Sequence, residues 1–396
     1  MKKRIIIAFF VAMVIGMGIF GDAYAKSYDK LPKEVWAQKP NADYVPIQED
    51  IYMVPGTSTI YLHVGEEKAS ETKVWTPDTL RAVDQNTGKV KWIFSFAKSG
   101  YGWPSTKDPF VYTPDGNVYA YFSSEKLLYA VTAAGKEKWS KRLPSDVPFD
   151  GKLYRLSDGT LVIAAVKSSA VGKESVRLMG FDPNGKSKFD KIISGKIVTV
   201  TKDRIVVKAI MKTSDAQKIM GYDSALKQAY TYSFAKGVYV NDYTTFALTD
   251  GTLVFTTSSP DNKQKQILLA LSSSGNSIWK RTMDRNGLAF TAGNGYLFLN
   301  FTTNKLSYYN NKGLIKERTL SDFKMPEGDT LPTARISSDG KILVNLISRQ
   351  YILDPVTLNS LYDFSNGIKG TILDYKNKSI FVYFWKENKI SYYHLT

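Results

Sequence analysis

Asp84, Thr87, Lys89 and Trp92 fall within nine residues of one another. A carboxylate, a hydroxyl, an amine and an indole at that spacing could move a proton, ligate a cation or stack a planar ligand. The same residues also have a simpler use. In Asp84-Gln85-Asn86-Thr87-Gly88 the Asp and Thr side chains can bond turn amides, and Gly supplies a positive φ. Leu80 to Trp92 then reads as strand, turn, strand. Recurrence decides between the two uses, because a ligand site is needed once and a joint is needed many times. Copies follow at Leu127 to Trp139 with Gly135, Leu178 to Phe189 with Gly185, Ile219 to Tyr230, Leu268 to Trp279 with Gly275, and Leu306 to Gly313. Weaker copies run from Tyr351 to Tyr362 and from Ile390 to Tyr393. Asp84, Gly88, Trp92, Gly135, Trp139, Gly185, Phe189, Gly275 and Trp279 are therefore expected to be structural.

Other chemistry is sparse. The chain has no Cys, which removes disulfides, thiolate metal sites and a Cys nucleophile. The only two His residues, His63 and His394, stand near opposite ends and give thin support for zinc or a His-based triad. A carboxylate pair of the glycosidase kind needs only two acids facing one pocket. Yet Asp84, Asp115, Asp158, Asp250 and Asp339 all stand in turns, where a turn-forming role suffices.

A second unit alternates with the first. Asp-Gly, Asn-Gly or a near equivalent stands before a β-run at Asp115, Asp158, Asp203, Asp250, Asn294, Asp339 and Asn377, at intervals of 43, 45, 47, 44, 45 and 38. Such pairs favour two-residue hairpin turns, whose central residues need positive φ. One hairpin of each kind makes four antiparallel strands in about 45 residues, the size of one propeller blade. The reading is all-β: a single β-propeller over residues 44–396, most simply of eight four-stranded blades, or seven if the loose first copy at Gly56 is not a hairpin. The last copy stops after three strands, so an N-terminal strand should close the ring. Tyr44 to Ile47 is the candidate, with 26–43 as a polar, Pro-interrupted leader.

Ala82-x-Asp84-x-x-Thr87-Gly88-x-x-x-Trp92 resembles the tryptophan-docking motif of the PQQ-like, quinoprotein-type propeller repeat. The resemblance covers nearly the whole chain after the leader. It implies that each terminal aromatic lies between neighbouring blades, burying about 150–250 Å². It also admits two functions: a quinone-dependent dehydrogenase holding PQQ and calcium, or a non-catalytic secreted scaffold. The missing Cys pair, the absence of a recognisable Glu/Asn/Asp calcium set and the short length favour the scaffold, with no cofactor expected.

The first 25 residues read as a signal peptide: Lys2, Lys3 and Arg4, then an apolar stretch from Ile5 to Phe20, then Ala23-Tyr24-Ala25. The apolar stretch of 16 residues is shorter than the roughly 20 of a spanning helix. Cleavage after Ala25 would remove three positive charges and Asp22, taking the net charge from +16 to +14. A cation outside the cytoplasm attracts anionic wall polymers, anionic lipid head groups or polyanionic substrates, while nucleic acid is poorly placed there. The expectation is a secreted, monomeric scaffold. It would bind a protein or an anionic cell-wall polymer, with peripheral membrane contact, through the connections between blades. There Tyr101 and Trp103 stand between glycines as an exposed anchor or a channel plug. Asp284, Arg285, Glu327 and Asp329 would be the polar part of the same surface. The alternative is an enzyme, quinone-dependent or polysaccharide-active.

Overall fold

Val, Ile, Tyr and Phe fill the segments between the turns. In the computed structural model these segments are antiparallel strands, as β-branched and aromatic side chains favour. The structure describes residues 26–28, 30–39, 51–64, 79–96, 110–123, 125–148, 150–168, 174–209, 216–259, 262–320, 333–346, 349–364, 368, 370–384 and 386–396, and among them there is no helix. Blade 1 is Ile51–Met53, Thr59–Val64, Thr79–Asp84 and Val90–Ser95. Blades 2 to 6 begin at Phe110, Lys152, Lys196, Val240 and Gly287, and blades 7 and 8 at Thr333 and Thr371. The count is eight. The loose first copy is a real hairpin: Ile51–Met53 pairs with Thr59–Val64, and Gly56 has φ 71°.

Burial follows radius. The second strand of blade 2, Val118–Phe122, is buried along its whole length, as is Ser379–Phe384 in blade 8. The outer strands Val90–Ser95 and Glu137–Arg142 alternate exposed and half-buried. Eight apolar clusters form the core, and each is shared by two neighbouring blades. One joins Tyr61 and Leu80 of blade 1 to Val118 and Ala120 of blade 2, and another joins Leu62 of blade 1 to Phe381 of blade 8. The last contact makes the ring closed.

The closing strand differs from the expected one. It is Glu34–Gln38, which pairs antiparallel with Lys389–His394 as the outer strand of blade 8. Tyr44 to Ile47 lies outside the described residues. The stretch 26–43 is thus not simply a leader, since Lys26–Ser27 also adds a parallel fifth strand to the outer edge of blade 7, beside Ser360–Phe364. The physical reason is Trp36. Its ring is buried, stacks on Tyr392 at 5.5 Å and lies over Gly88 of blade 1.

Antiparallel order gives the ring two unlike faces. Turns from first to second strand and from third to fourth share one end, here the turn face. Connections from second to third strand, and from one blade to the next, share the other, here the loop face.

Candidate functional site

The aspartates of the turn face are occupied by their own turns. Asp84 Oδ1 accepts the Asn86 and Thr87 amides and the Thr87 hydroxyl, each at 3.1 Å, and Oδ2 accepts Ser58 Oγ at 2.6 Å. The Ser58 hydrogen bond and the turn donors hold this carboxyl far below the usual carboxylate range. Asp158 accepts the Thr160 amide, Asp182 the amides of Asn184 and Lys186, and Asp354 those of Val356 and Thr357.

The aromatics next to these turns hold neighbouring blades together. The Trp36 indole N–H donates to Gln85 O at 2.8 Å, Trp92 to Ala133 O at 3.0 Å, and Trp139 to Pro183 O at 3.1 Å. Each ring covers the glycine of the turn it reaches. A β-carbon on Gly135 would come within 2.4 Å of Trp92, and one on Gly185 within 3.0 Å of Trp139. Gly275 is covered by Tyr230 of the preceding blade, and Trp279 Nε1 donates to Asn311 Oδ1 at 3.1 Å in the next. Phe189 lies against Gly180 of its own blade and shares a cluster with Leu226 of blade 4. The stretch from Asp84 to Trp92 is therefore fully engaged in holding the ring.

The loop face is different. Asp284 and Arg285, adjacent in sequence, have separate roles. Asp284 forms an ion pair with Lys265 and accepts Asn300 Nδ2 at 2.6 Å. Lys265 and then Asn300 hold its carboxyl below the ordinary range. Arg285 is exposed, and among the described residues its guanidinium meets the Lys263 carbonyl, at 3.4 Å. It borders a cavity of about 280 Å³ on blade 5, lined also by Tyr239, Ser258, Lys263 and Gln266, with no carboxylate among its described lining residues. A second cavity of about 280 Å³ lies where blades 3 and 4 meet and has the opposite character, lined by Asp150 and Glu174 with Lys196.

Of the six expected contact residues, the structure brings Asp284 and Arg285 to this face. Tyr101, Trp103, Glu327 and Asp329 lie outside the described residues. His63 and His394 share no site: His63 is buried edge-on to Phe110 near the loop face, and His394 pairs with Ser379 beside the turn face. Among the described residues, no group of three His, Cys, Asp or Glu is placed to hold a metal ion. Sequence reasoning missed Trp36, Tyr239 and Lys263. For Trp36 a signal existed, because an aromatic occupies the third place of seven of the eight outer strands, Glu34-Val35-Trp36 included.

A family model described as outer membrane protein assembly factor BamB, of the PQQ type, matches residues 77–286. No curated protein matches the chain. Among solved structures, BamB from Moraxella catarrhalis is 12% identical, with 92% of this chain and 99% of that one covered, at a TM-score of 0.46. Apo AztD from Citrobacter koseri is 13% identical, with 80% and 85% covered, at 0.50. A europium-containing methanol dehydrogenase is 11% identical, with 88% and 82% covered, at 0.49. Identities this low speak for the fold alone.

Proposed function

The chain belongs to the PQQ-type β-propeller repeat family described as outer membrane protein assembly factor BamB, and from that premise we propose that it is a secreted, non-catalytic scaffold that docks an anionic envelope partner on its loop face. The observation that carries this reading is how charge is used on the two faces. Turn-face carboxylates are saturated by their own turn amides. On the loop face the one described carboxylate beside the blade 5 cavity is neutralised by Lys265, leaving Lys263 and Arg285 outside any ion pair among the described residues. The charge of +16, or +14 after loss of residues 1–25, acts in the same direction. A family name that denotes an assembly factor agrees with a protein-docking role.

Retention on purified envelope is the test. The mature chain should bind at about 0.01 M salt and release at about 1 M, as the Debye length falls from about 30 to about 3 Å. Retention indifferent to salt overturns the electrostatic docking. Titration with PQQ and calcium tests the non-catalytic part. No change in quinone absorbance is expected, and a saturable one would favour the dehydrogenase reading.

A further inference from the structure

We propose that the blade 5 cavity is a binding site for a single acidic sugar unit, a pyranose carrying a phosphate or a carboxylate. This rests on the loop face being the docking face, and it names the group recognised there. Three observations converge. The first is charge. Among the described residues Lys263 and Arg285 flank the cavity without an ion-pair partner, and no described lining residue is acidic. The backbones that carry them are pinned: Arg285 N donates to Gln264 O at 2.9 Å, and Gln264 N donates to Asn262 Oδ1 at 2.8 Å. Both cations are thereby kept at the rim of the cavity.

The second observation is the lining. Ser258 Oγ accepts the Tyr239 amide at 3.1 Å, which leaves its own O–H to donate. Gln266 uses its Nε2 hydrogens on Asp284 O and Gly287 O, at 2.9 and 3.2 Å, which fixes the amide group and leaves its oxygen to accept a hydroxyl. Donors and acceptors presented together suit a polyhydroxyl ring, whereas an acidic side chain would need donors only.

The third is Tyr239, which is 54% exposed at the edge of the cavity. Its main chain is bound on both sides, N–H to Ser258 Oγ and carbonyl to Ser258 N at 2.9 Å. The phenol is therefore held out in solvent by a fixed backbone, and its face is available to the C–H face of a sugar. At about 280 Å³ the cavity sits just below the size of drug-sized pockets and fits one ring with its charged substituent.

Titration calorimetry of the whole mature chain tests this with glucose 6-phosphate, glucuronate, glucose, inorganic phosphate and hexaglutamate. At least one acidic sugar should bind, and comparing the two tells phosphate from carboxylate. Glucose and inorganic phosphate should each bind at least about tenfold more weakly, as should either acidic sugar to Lys263→Ala or Arg285→Ala. Arg285→Lys should recover part of the loss, and Tyr239→Ala should weaken binding with both cations in place. Thermal melts of all variants should match the parent, because these side chains are exposed. The proposal is overturned if inorganic phosphate or hexaglutamate binds as tightly as the sugars, if the alanine variants bind unchanged, or if no acidic sugar binds at about 10 mM, weaker than about −3 kcal/mol. Salt-dependent retention on envelope that persists without sugar binding would remove this inference and leave the docking face standing.

Discussion

The two faces of the propeller use the same residue types to opposite ends. On the turn face Asp84, Asp158, Asp182 and Asp354 each accept the amides of their own turn. Trp36, Trp92 and Trp139 each close on the next blade's turn. On the loop face Tyr239 projects into solvent, and Lys263 and Arg285 have no anionic partner among the described residues. Repetition explains the difference. A side chain that recurs once per blade meets the same partner in each copy, so its bonding capacity is met within the fold. A residue present in one blade only has no such repeated partner: it finds its own, as Asp284 finds Lys265, or its capacity remains for something outside.

If that division is right, substitutions on the turn face cost stability and substitutions on the loop face cost binding. The largest effect should come from Trp36→Ala, which empties a buried joint and weakens the strand that closes the ring. A loss of about 3–5 kcal/mol is expected in chemical denaturation, and a near-parental midpoint would show that the ring does not depend on this closure. Next comes Asp84→Asn, expected to cost about 1–2 kcal/mol near neutral pH, as charged hydrogen bonds to the turn are weakened. Because the folded carboxyl titrates below its unfolded value of about 3.9, its contribution is complete above that pH and is lost as pH falls through the folded value. The parent should therefore lose stability below about pH 4 more steeply than Asp84→Asn, and parallel acid profiles would contradict the assignment. Smallest is Lys263→Ala with Arg285→Ala, expected to stay within about 0.5 kcal/mol of the parent in stability while retention on envelope falls. A destabilised double variant that still binds would reverse the comparison.

The repeat was readable in the chain because hairpin turns demand a rare backbone. Gly116, Gly159, Gly251 and Gly340 all take positive φ, between 81° and 89°, so an Asp-Gly pair marks four of the eight blades. In the turns between third and fourth strands degenerate copies keep the geometry without the mark: Leu226 and Leu358 adopt φ of 58° and 57° where Gly88, Gly135, Gly185 and Gly275 stand in other blades. The closing strand was misplaced because a run of Tyr, Val and Ile looks like an edge strand. The true one, Glu34–Gln38, has three apolar residues, Val35, Trp36 and Ala37, between polar ends, and pairs with a strand more than 350 residues away, joined by Ser391 Oγ to Glu34 at 2.8 Å. The site was half legible. Asp284 and Arg285 were visible as a break in the repeat. That one would turn to Lys265 and the other border a cavity with Tyr239 and Lys263 depends on three connections that meet only in space.

The N-terminal strap has a further consequence, in the order of synthesis. Tyr28 bonds the last residue, its hydroxyl reaching Thr396 O at 2.9 Å, and Glu34–Gln38 waits for Lys389–His394. Earlier blades can form locally as the chain emerges, but Glu34–Gln38 has no strand to pair with until Lys389–His394 is made. Closing so long a loop is entropically costly and slow. Until then two sheet edges stand open, one on blade 7 and one on blade 8, and each is a template for another chain. The newly made protein is therefore most vulnerable to strand exchange with its own copies in the interval before the two ends meet.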